Sequence, residues 1–200
     1  PGPWRPASCP RSASDRPELP MARAQLITGP PGVGKTSLLL SILEMLPGRK
    51  GGFTTREIRE GGERVGFQIT DLSGREGVLA HIRHPGPPRV GRYGVDLKTF
   101  EAIGVQAVTR ALHDADLIVI DEIGKMELYS RAFQAVLFEV LDSPRPLVGT
   151  IMAKAHPVAD RIKARPEVQV QRLTPTNSEE VVRAVTADLG RWLASAGISC

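Results

Sequence analysis

Short apolar runs alternate with amphipathic segments along most of this chain. The runs have strand length, and between them apolar residues recur every three to four positions, as on one face of a helix. Strands that alternate with helices predict βαβ units, so we expect an α/β fold with a mostly parallel sheet flanked by helices. The predicted strands are Ala24–Thr28, Leu117–Ile120, Leu147–Ile151 and Val168–Leu173, and the predicted helices are Ser37–Leu46, Leu97–Leu112, Ser130–Leu141, Val158–Arg165 and a last one ending near Leu193.

Residues 51–82 have a different pattern. Strand-like runs at 53–58, 65–72 and 78–82 are separated by Gly61-Gly62 and Ser73-Gly74. Glycine pairs and Ser-Gly between such runs are typical of tight turns, so this segment predicts a β-hairpin insert. The Pro/Gly-rich stretch from His84 to Gly94 predicts a loop. Farther along, Asn177 with Glu180 three residues later predicts a capping box at the start of the last helix.

The first twenty residues include six prolines and show neither helical nor strand periodicity. Such a segment buries too little apolar area to offset the entropy of ordering it. We therefore expect a disordered tail at residues 1–20 and a single domain at 21–200, with Met21 as the native start.

A glycine-rich sequence follows the first predicted strand: Gly29, Pro30, Pro31, Gly32, Val33, Gly34, Lys35 and Thr36. It matches the phosphate-binding loop (P-loop) pattern between a strand and a helix, which is the context that the motif requires. Glycines allow backbone amides to approach phosphate oxygens, and the helix N-terminus adds the positive end of its dipole. Lys35 is expected to contact the β- and γ-phosphates, and the Thr36 hydroxyl to bind Mg²⁺. The motif predicts binding of a nucleoside triphosphate.

A second element is Asp121-Glu122, directly after the apolar run Leu117–Ile120. A carboxylate in this position lies at the carboxyl edge of a parallel sheet, where ligands of open α/β folds bind. We therefore expect Asp121 to hold Mg²⁺ together with Thr36. Glu122 is the candidate general base, because a carboxylate beside the metal-binding Asp can orient and deprotonate a water. The alternative interpretation is that Asp121 only ends a strand and Glu122 is a surface residue.

Four segments in this order resemble the cancer-related nucleoside-triphosphatase family, which includes the thermophile nucleoside triphosphatases of archaea and bacteria. The resemblance runs from about Met21 to Leu173, and residues 1–20 depart from it. It implies a RecA-like P-loop fold and slow, Mg²⁺-dependent hydrolysis of ATP, GTP, CTP and UTP with little base preference. The segments are Thr28–Thr36, Gly52–Ile58, Val90–Val95 and Asp121–Leu128.

The resemblance also implies positions for several further residues. Leu147–Ile151 becomes the candidate for an extra strand between the loop strand and the Asp121 strand, with Thr150 near the γ-phosphate. Arg92 is a candidate to add positive charge at the transition state, and Tyr93 a candidate to stack on the base; the alternative is a loop anchored by one tyrosine. The resemblance also places Glu57 and Lys125 near the phosphates, and it assigns Arg56 no role.

Composition and charge add only broad limits. Two cysteines, both near the chain ends, form no disulfide framework, and no apolar run is long enough to span a membrane, so we expect a cytoplasmic protein. The net charge of +4 is a weak indication of nucleic-acid binding, because the basic residues are scattered along the chain rather than clustered. We expect a monomer whose partners are nucleoside triphosphates.

Two other functions remain open on sequence alone. The same loop serves nucleoside and nucleotide kinases, and the hairpin insert could form an acceptor site, although the chain lacks an arginine-rich lid segment. A nucleotide-binding adaptor that hydrolyses little is the second alternative. Phosphate release without an added acceptor distinguishes a hydrolase from both.

Overall fold

Nine strands and six α-helices follow one another along residues 22–198, the part of the chain that the computed structural model describes. The predicted tail at residues 1–20 lies outside this range. Among these helices, none is long and apolar enough to cross a membrane. The strands are β1 (Ala24–Thr28), β2 (Lys50–Glu60), β3 (Glu63–Asp71), β4 (Glu76–His81), β5 (Arg89–Val90), β6 (Tyr93–Val95), β7 (Leu117–Ile123), β8 (Leu147–Ile151) and β9 (Val168–Arg172). The helices are α1 (Lys35–Met45), α2 (Leu97–Phe100), α3 (Gln106–Asp114), α4 (Arg131–Asp142), α5 (Pro157–Lys163) and α6 (Ser178–Ser195).

All nine strands belong to one sheet, in the order β5-β6-β4-β3-β2-β7-β8-β1-β9. The five strands from β2 to β9 in this order are parallel to their neighbours. The other pairs are antiparallel and form the extension that begins with the β2–β3 hairpin. These observations confirm the predicted parallel sheet, the hairpin insert and the extra strand β8 between β1 and β7.

Helices cover both faces of the parallel sheet because successive strand residues point to opposite sides. Ile27 and Val119 belong to a core with α1 and α6, whereas their neighbours Leu26 and Ile120 belong to a second core with α3, α4 and α5. In the second core, three phenylalanine rings pack edge to face, with centroids 5.1 to 5.9 Å apart. The fold is therefore a three-layer α/β structure with the sheet in the middle.

Strand β2 extends beyond the segment that pairs with β7. Only Lys50–Phe53 pairs with β7, and Phe53–Glu60 continues with β3 alone. Its second half thus runs past the carboxyl end of β7. This is the edge at which ligands of open α/β sheets bind, so the hairpin lies next to the expected site.

Three local predictions differ from the structure. The predicted loop His84–Gly94 contains β5 and the start of β6, since pairing of β6 with β4 supplies the order that the local sequence lacks. The predicted helix Leu97–Leu112 is present but contains a π-helical turn at Glu101–Val105. The predicted capping box is wrong. Helix α6 does begin after Asn177, but the Asn177 side chain accepts no hydrogen bond from the first turn of the helix and accepts from the Thr174 N–H at 2.7 Å.

Candidate active site

The P-loop joins β1 to α1 in a conformation that depends on its glycines, as two of them show. Gly34, the residue before α1, has a φ of +96°, in the left-handed region that side chains disfavour. A Cβ on Gly29 would stand 2.7 Å from the carbonyl oxygen of Leu173. No side chain caps the N-terminus of α1, so its first backbone N–H groups face the loop. This arrangement suits a bound phosphate.

Lys35 lies across the loop. Its Nζ donates to the carbonyl oxygens of Gly29 and Pro30, each at 3.3 Å. Both acceptors belong to the P-loop itself, so the ammonium group is held over the space that the loop encloses. A phosphate oxygen entering that space would meet a positive charge already in position.

Asp121 connects three elements at the carboxyl edge of the sheet. Thr36 Oγ1 of α1 donates to Asp121 Oδ2 at 2.8 Å, and Thr150 Oγ1 of β8 donates to Oδ1 at 2.5 Å. Burial raises the pKa of Asp121, whereas the two hydroxyl groups act in the opposite direction. The structure therefore brings the two predicted metal-binding residues into direct contact and places Thr150 beside them.

Strand β7 bulges at Asp121 and Glu122. Ile120 lies opposite Gly149 and Ile123 opposite Ile151, so two residues of β7 face Thr150 alone on β8. A bulge re-aims side chains that would otherwise alternate between the two faces of a sheet. Burial raises the pKa of Glu122, the nearby Lys35 lowers it, and Asp121 raises it further. Glu122 is thus close to both the lysine and the aspartate.

A third carboxyl group, Glu127, has no role in the sequence-based assignment. It is 5% exposed, and burial followed by the charge of Glu122 raises its pKa to about 8. Glu127 Oε2 and Glu122 Oε1 lie 2.8 and 3.3 Å from the point that a Cβ on Gly124 would occupy. Gly124 therefore leaves room for two glutamates to approach each other. The glycine three residues before Glu127 is the one sequence signal for this turn.

Arg92 and Tyr93 lie on the antiparallel extension. Tyr93 is 8% exposed, its ring packs against Phe67 at 5.2 Å, and Arg64 Nε donates to its hydroxyl at 3.0 Å. Within residues 22–198, the hydrogen bonds of the Arg92 and Tyr93 side chains stay inside this extension, including one from Arg92 to the carbonyl oxygen of Arg64. The structure does not bring either side chain into contact with the P-loop, and their assigned roles stay predictions.

Glu57 and Lys125 are the other two residues that were expected near the phosphates. Glu57 accepts from Arg59 and from Arg64, the latter at 2.6 Å, and these arginines lower its pKa. Lys125 is exposed in the turn after β7. Their expected positions near the phosphates stay predictions.

Comparison with known proteins identifies relatives along most of the chain. The family model described as NTPase matches residues 24–186. Nucleoside-triphosphatase THEP1 from Thermotoga sp. (strain RQ2) is 45% identical over 164 residues, covering 82% of this chain and 94% of that protein. The protein of the same name from Methanocaldococcus jannaschii is 50% identical over 129 residues, 62% of this chain and 75% of that protein.

Two solved structures share the fold. The crystal structure of THEP1 from the hyperthermophile Aquifex aeolicus has a TM-score of 0.74 and 34% identity, covering 81% of this chain and 96% of that one. The solution structure of a human cancer-related nucleoside triphosphatase has a TM-score of 0.70 and 35% identity, with coverages of 85% and 98%. These matches confirm the family resemblance, the P-loop fold and the predicted class of enzyme. The chain belongs to the nucleoside-triphosphatase family that these THEP1 proteins represent.

Proposed function

We propose that this protein is a Mg²⁺-dependent nucleoside-triphosphatase that hydrolyses ATP, GTP, CTP and UTP to the diphosphate and phosphate, slowly and with broad base specificity. The observation that supports this most is the contact of Asp121 with Thr36 and Thr150, beside Lys35 and Glu122. The site therefore has a phosphate-binding loop, oxygen donors for a cation, and a carboxylate that can accept a proton.

The residues present fit a magnesium ion. Thr36 Oγ1 and Asp121 Oδ2 are hard oxygen donors 2.8 Å apart. Mg²⁺ in triphosphate sites is usually held by one or two protein oxygens, with phosphate oxygens and waters completing its coordination. When bound here, the ion would neutralise negative charge on the β- and γ-phosphates.

Lys35 and the P-loop would bind the triphosphate. The first backbone N–H groups of α1 lie at the positive end of the helix dipole and suit the α- and β-phosphates. Lys35 would exchange its contacts with the loop carbonyls for contacts with β- and γ-phosphate oxygens. Because Asp121 and Glu122 lie at the end of β7, the γ-phosphate would face that strand.

Glu122 would orient and deprotonate the attacking water. The water oxygen forms a bond to the γ-phosphorus, the bond from that phosphorus to the β–γ bridging oxygen breaks, and the proton passes to the Glu122 carboxylate. Burial raises the pKa of this carboxyl, and a base whose pKa approaches the working pH accepts a proton more effectively. The products are the nucleoside diphosphate and inorganic phosphate.

Slow turnover agrees with the position of Arg92. Its guanidinium donates to the carbonyl oxygen of Arg64, and it would have to release this contact to reach a phosphate. P-loop enzymes without an arginine at the transition state hydrolyse slowly. A contribution of Arg92 to the transition state stays a prediction.

Phosphate release from the four triphosphates, with no acceptor added, tests this function. We expect release from all four in the presence of Mg²⁺ and loss of release when EDTA removes it. No release under any of these conditions would contradict the proposal. Formation of the nucleoside diphosphate only when an acceptor is added, with the phosphoryl group on that acceptor and no free phosphate, would indicate a kinase.

The variant Glu122→Gln tests the assigned base. It should bind a fluorescent ATP analogue within a few-fold of the parent, while single-turnover release slows by at least about a hundredfold. Glu44→Gln, which removes an exposed glutamate on α1, is the matched control and should behave as the parent. A decrease of less than about tenfold would mean that Glu122 is not the base.

A further inference from the structure

A groove separates α1 from α6 on one face of the sheet. Its volume is about 580 Å³, within the usual range for small-molecule sites. One end lies at Val33 and Gly34 of the P-loop, and the groove runs on between the two helices. The groove is therefore continuous with the P-loop. Asp121, Glu122 and Glu127 do not line it.

The strand order determines which part of a triphosphate faces this groove. Strand β1, which leads into the P-loop, lies between β8 and β9. Asp121 and Thr150 lie on the β8 side, so the γ-phosphate faces that side. Leu173, directly after β9, lines the groove on the other side. The α-phosphate end must therefore point toward the groove, and the nucleoside is attached to that end.

The walls of the groove suit a base and a ribose. Leu38 of α1 and Val182 of α6 provide apolar surface, and the hydroxyl groups of Ser37 and Ser41 lie along the α1 wall. Arg183 of α6 is exposed, and within residues 22–198 its guanidinium takes part in no ion pair. A free guanidinium plane stacks on the face of any base, because every base has a π surface.

We propose that the α1–α6 groove binds the nucleoside of the substrate, with the base between Leu38, Val182 and the Arg183 guanidinium. This inference rests on the proposed function, because the orientation of the triphosphate is taken from it. Contacts made by stacking and by apolar surface do not distinguish purines from pyrimidines, so the groove accounts for broad base specificity. In this arrangement the base does not contact Tyr93.

Photolabelling locates the base without requiring hydrolysis. The protein is irradiated with 8-azido-ATP in the presence and absence of excess inorganic tripolyphosphate, and the modified peptides are identified by mass spectrometry. Labelling that tripolyphosphate prevents should fall on the α1 wall at residues 37–41 or the α6 wall at 178–183. Labelling of the segment around Tyr93, or anywhere else outside the groove, would overturn the inference. If tripolyphosphate prevents no labelling, the P-loop does not bind triphosphate and the proposed function fails as well.

Two variants test the energetic role of the groove. Arg183→Ala removes the guanidinium, and Val182→Trp fills the space between the helices. Each should raise KM at least about fivefold for ATP, GTP, CTP and UTP, in the range found for loss of one base-stacking contact. Arg191→Ala is the control, since it removes another arginine of α6 whose partner is Asp188.

Inhibition of ATP hydrolysis by tripolyphosphate separates nucleoside binding from phosphate binding. In both groove variants, its inhibition constant should stay within about twofold of the parent, because the P-loop is unchanged and the inhibitor has no nucleoside. Unchanged KM values for all four nucleotides would overturn the inference. An equal rise in KM and in the inhibition constant would also overturn it, because it would place Arg183 on the phosphates.

Discussion

The carboxyl group of Glu127 should make the stability of the empty protein depend on pH. Its folded pKa is about 8, against an ordinary value of 4.5, because the side chain is buried and close to Glu122. A group whose pKa is higher in the folded than in the unfolded protein makes its full contribution to stability at pH values below the unfolded pKa. This contribution is lost as the pH rises toward the folded value. At about 1.4 kcal/mol for each pKa unit, the loss between pH 4.5 and 8 amounts to about 5 kcal/mol.

Glu127→Gln measures this contribution directly, since it keeps the shape of the side chain but removes the titrating proton. The free energy of unfolding of this variant minus that of the parent should increase with pH. Between pH 5.5 and 7.5 we expect an increase of about 3 kcal/mol, levelling off above pH 8. Every other titrating group is present in both proteins, so these contributions largely cancel in the difference.

Urea unfolding followed by circular dichroism at half-unit pH intervals provides the measurement, without nucleotide or Mg²⁺. Glu44→Gln, measured in the same series, reports the effect of removing an exposed carboxyl group. A difference between Glu127→Gln and the parent that stays constant within about 0.5 kcal/mol would refute the reasoning. It would mean that Glu127 ionises in the folded protein as readily as in the unfolded chain.

Three further variants test the site. Lys35→Ala should reduce turnover at least about a hundredfold and weaken binding of a fluorescent nucleotide, and near-normal phosphate release would contradict its assignment. Asp121→Asn should lose activity that higher Mg²⁺ partly restores, whereas a defect that does not respond to Mg²⁺ would contradict the metal role. Gly124→Ala would place a methyl group 2.8 Å from the Glu127 side chain and 3.3 Å from that of Glu122. Displacement of Glu122 should lower kcat while KM changes little. Gly190→Ala is its control, because a Cβ there meets open space and an alanine should stabilise α6 by about 0.5 to 1 kcal/mol without changing kcat.

Four strands of the parallel sheet could be predicted because each of them carries its own signal. Leu117–Ile120 is apolar at every position, as expected for a strand covered on both faces, and it is buried throughout. The P-loop was predictable for a similar reason, since its glycines, Lys35 and Thr36 are contiguous in sequence. A structural feature whose residues are contiguous in sequence can therefore be recognised from the sequence.

The short strands β5 and β6 had no comparable signal. They contain two and three residues in a stretch rich in proline and glycine, and pairing of Ala80 with Val95 orders them. Asn177 shows the converse case. Its type and position suit a helix cap, yet its side chain accepts from the Thr174 N–H and donates to the carbonyl oxygen of Arg172, the last residue of β9. The preference of asparagine for capping a helix was overridden because backbone groups just before it in the chain offered other hydrogen-bond partners.

The two halves of the candidate substrate site differ in the same way. Phosphate binding requires backbone N–H groups in a fixed order, and one loop of eight residues supplies them. Nucleoside binding requires two walls at a suitable distance, here Leu38 of α1 and Val182 of α6, which are far apart in sequence. Packing of both helices on the same face of the sheet creates this groove, so neither helix alone predicts it. A hydrolase of this family can therefore keep its phosphate chemistry while α6 changes, and nucleoside affinity should respond to substitutions on α6 that leave the P-loop intact.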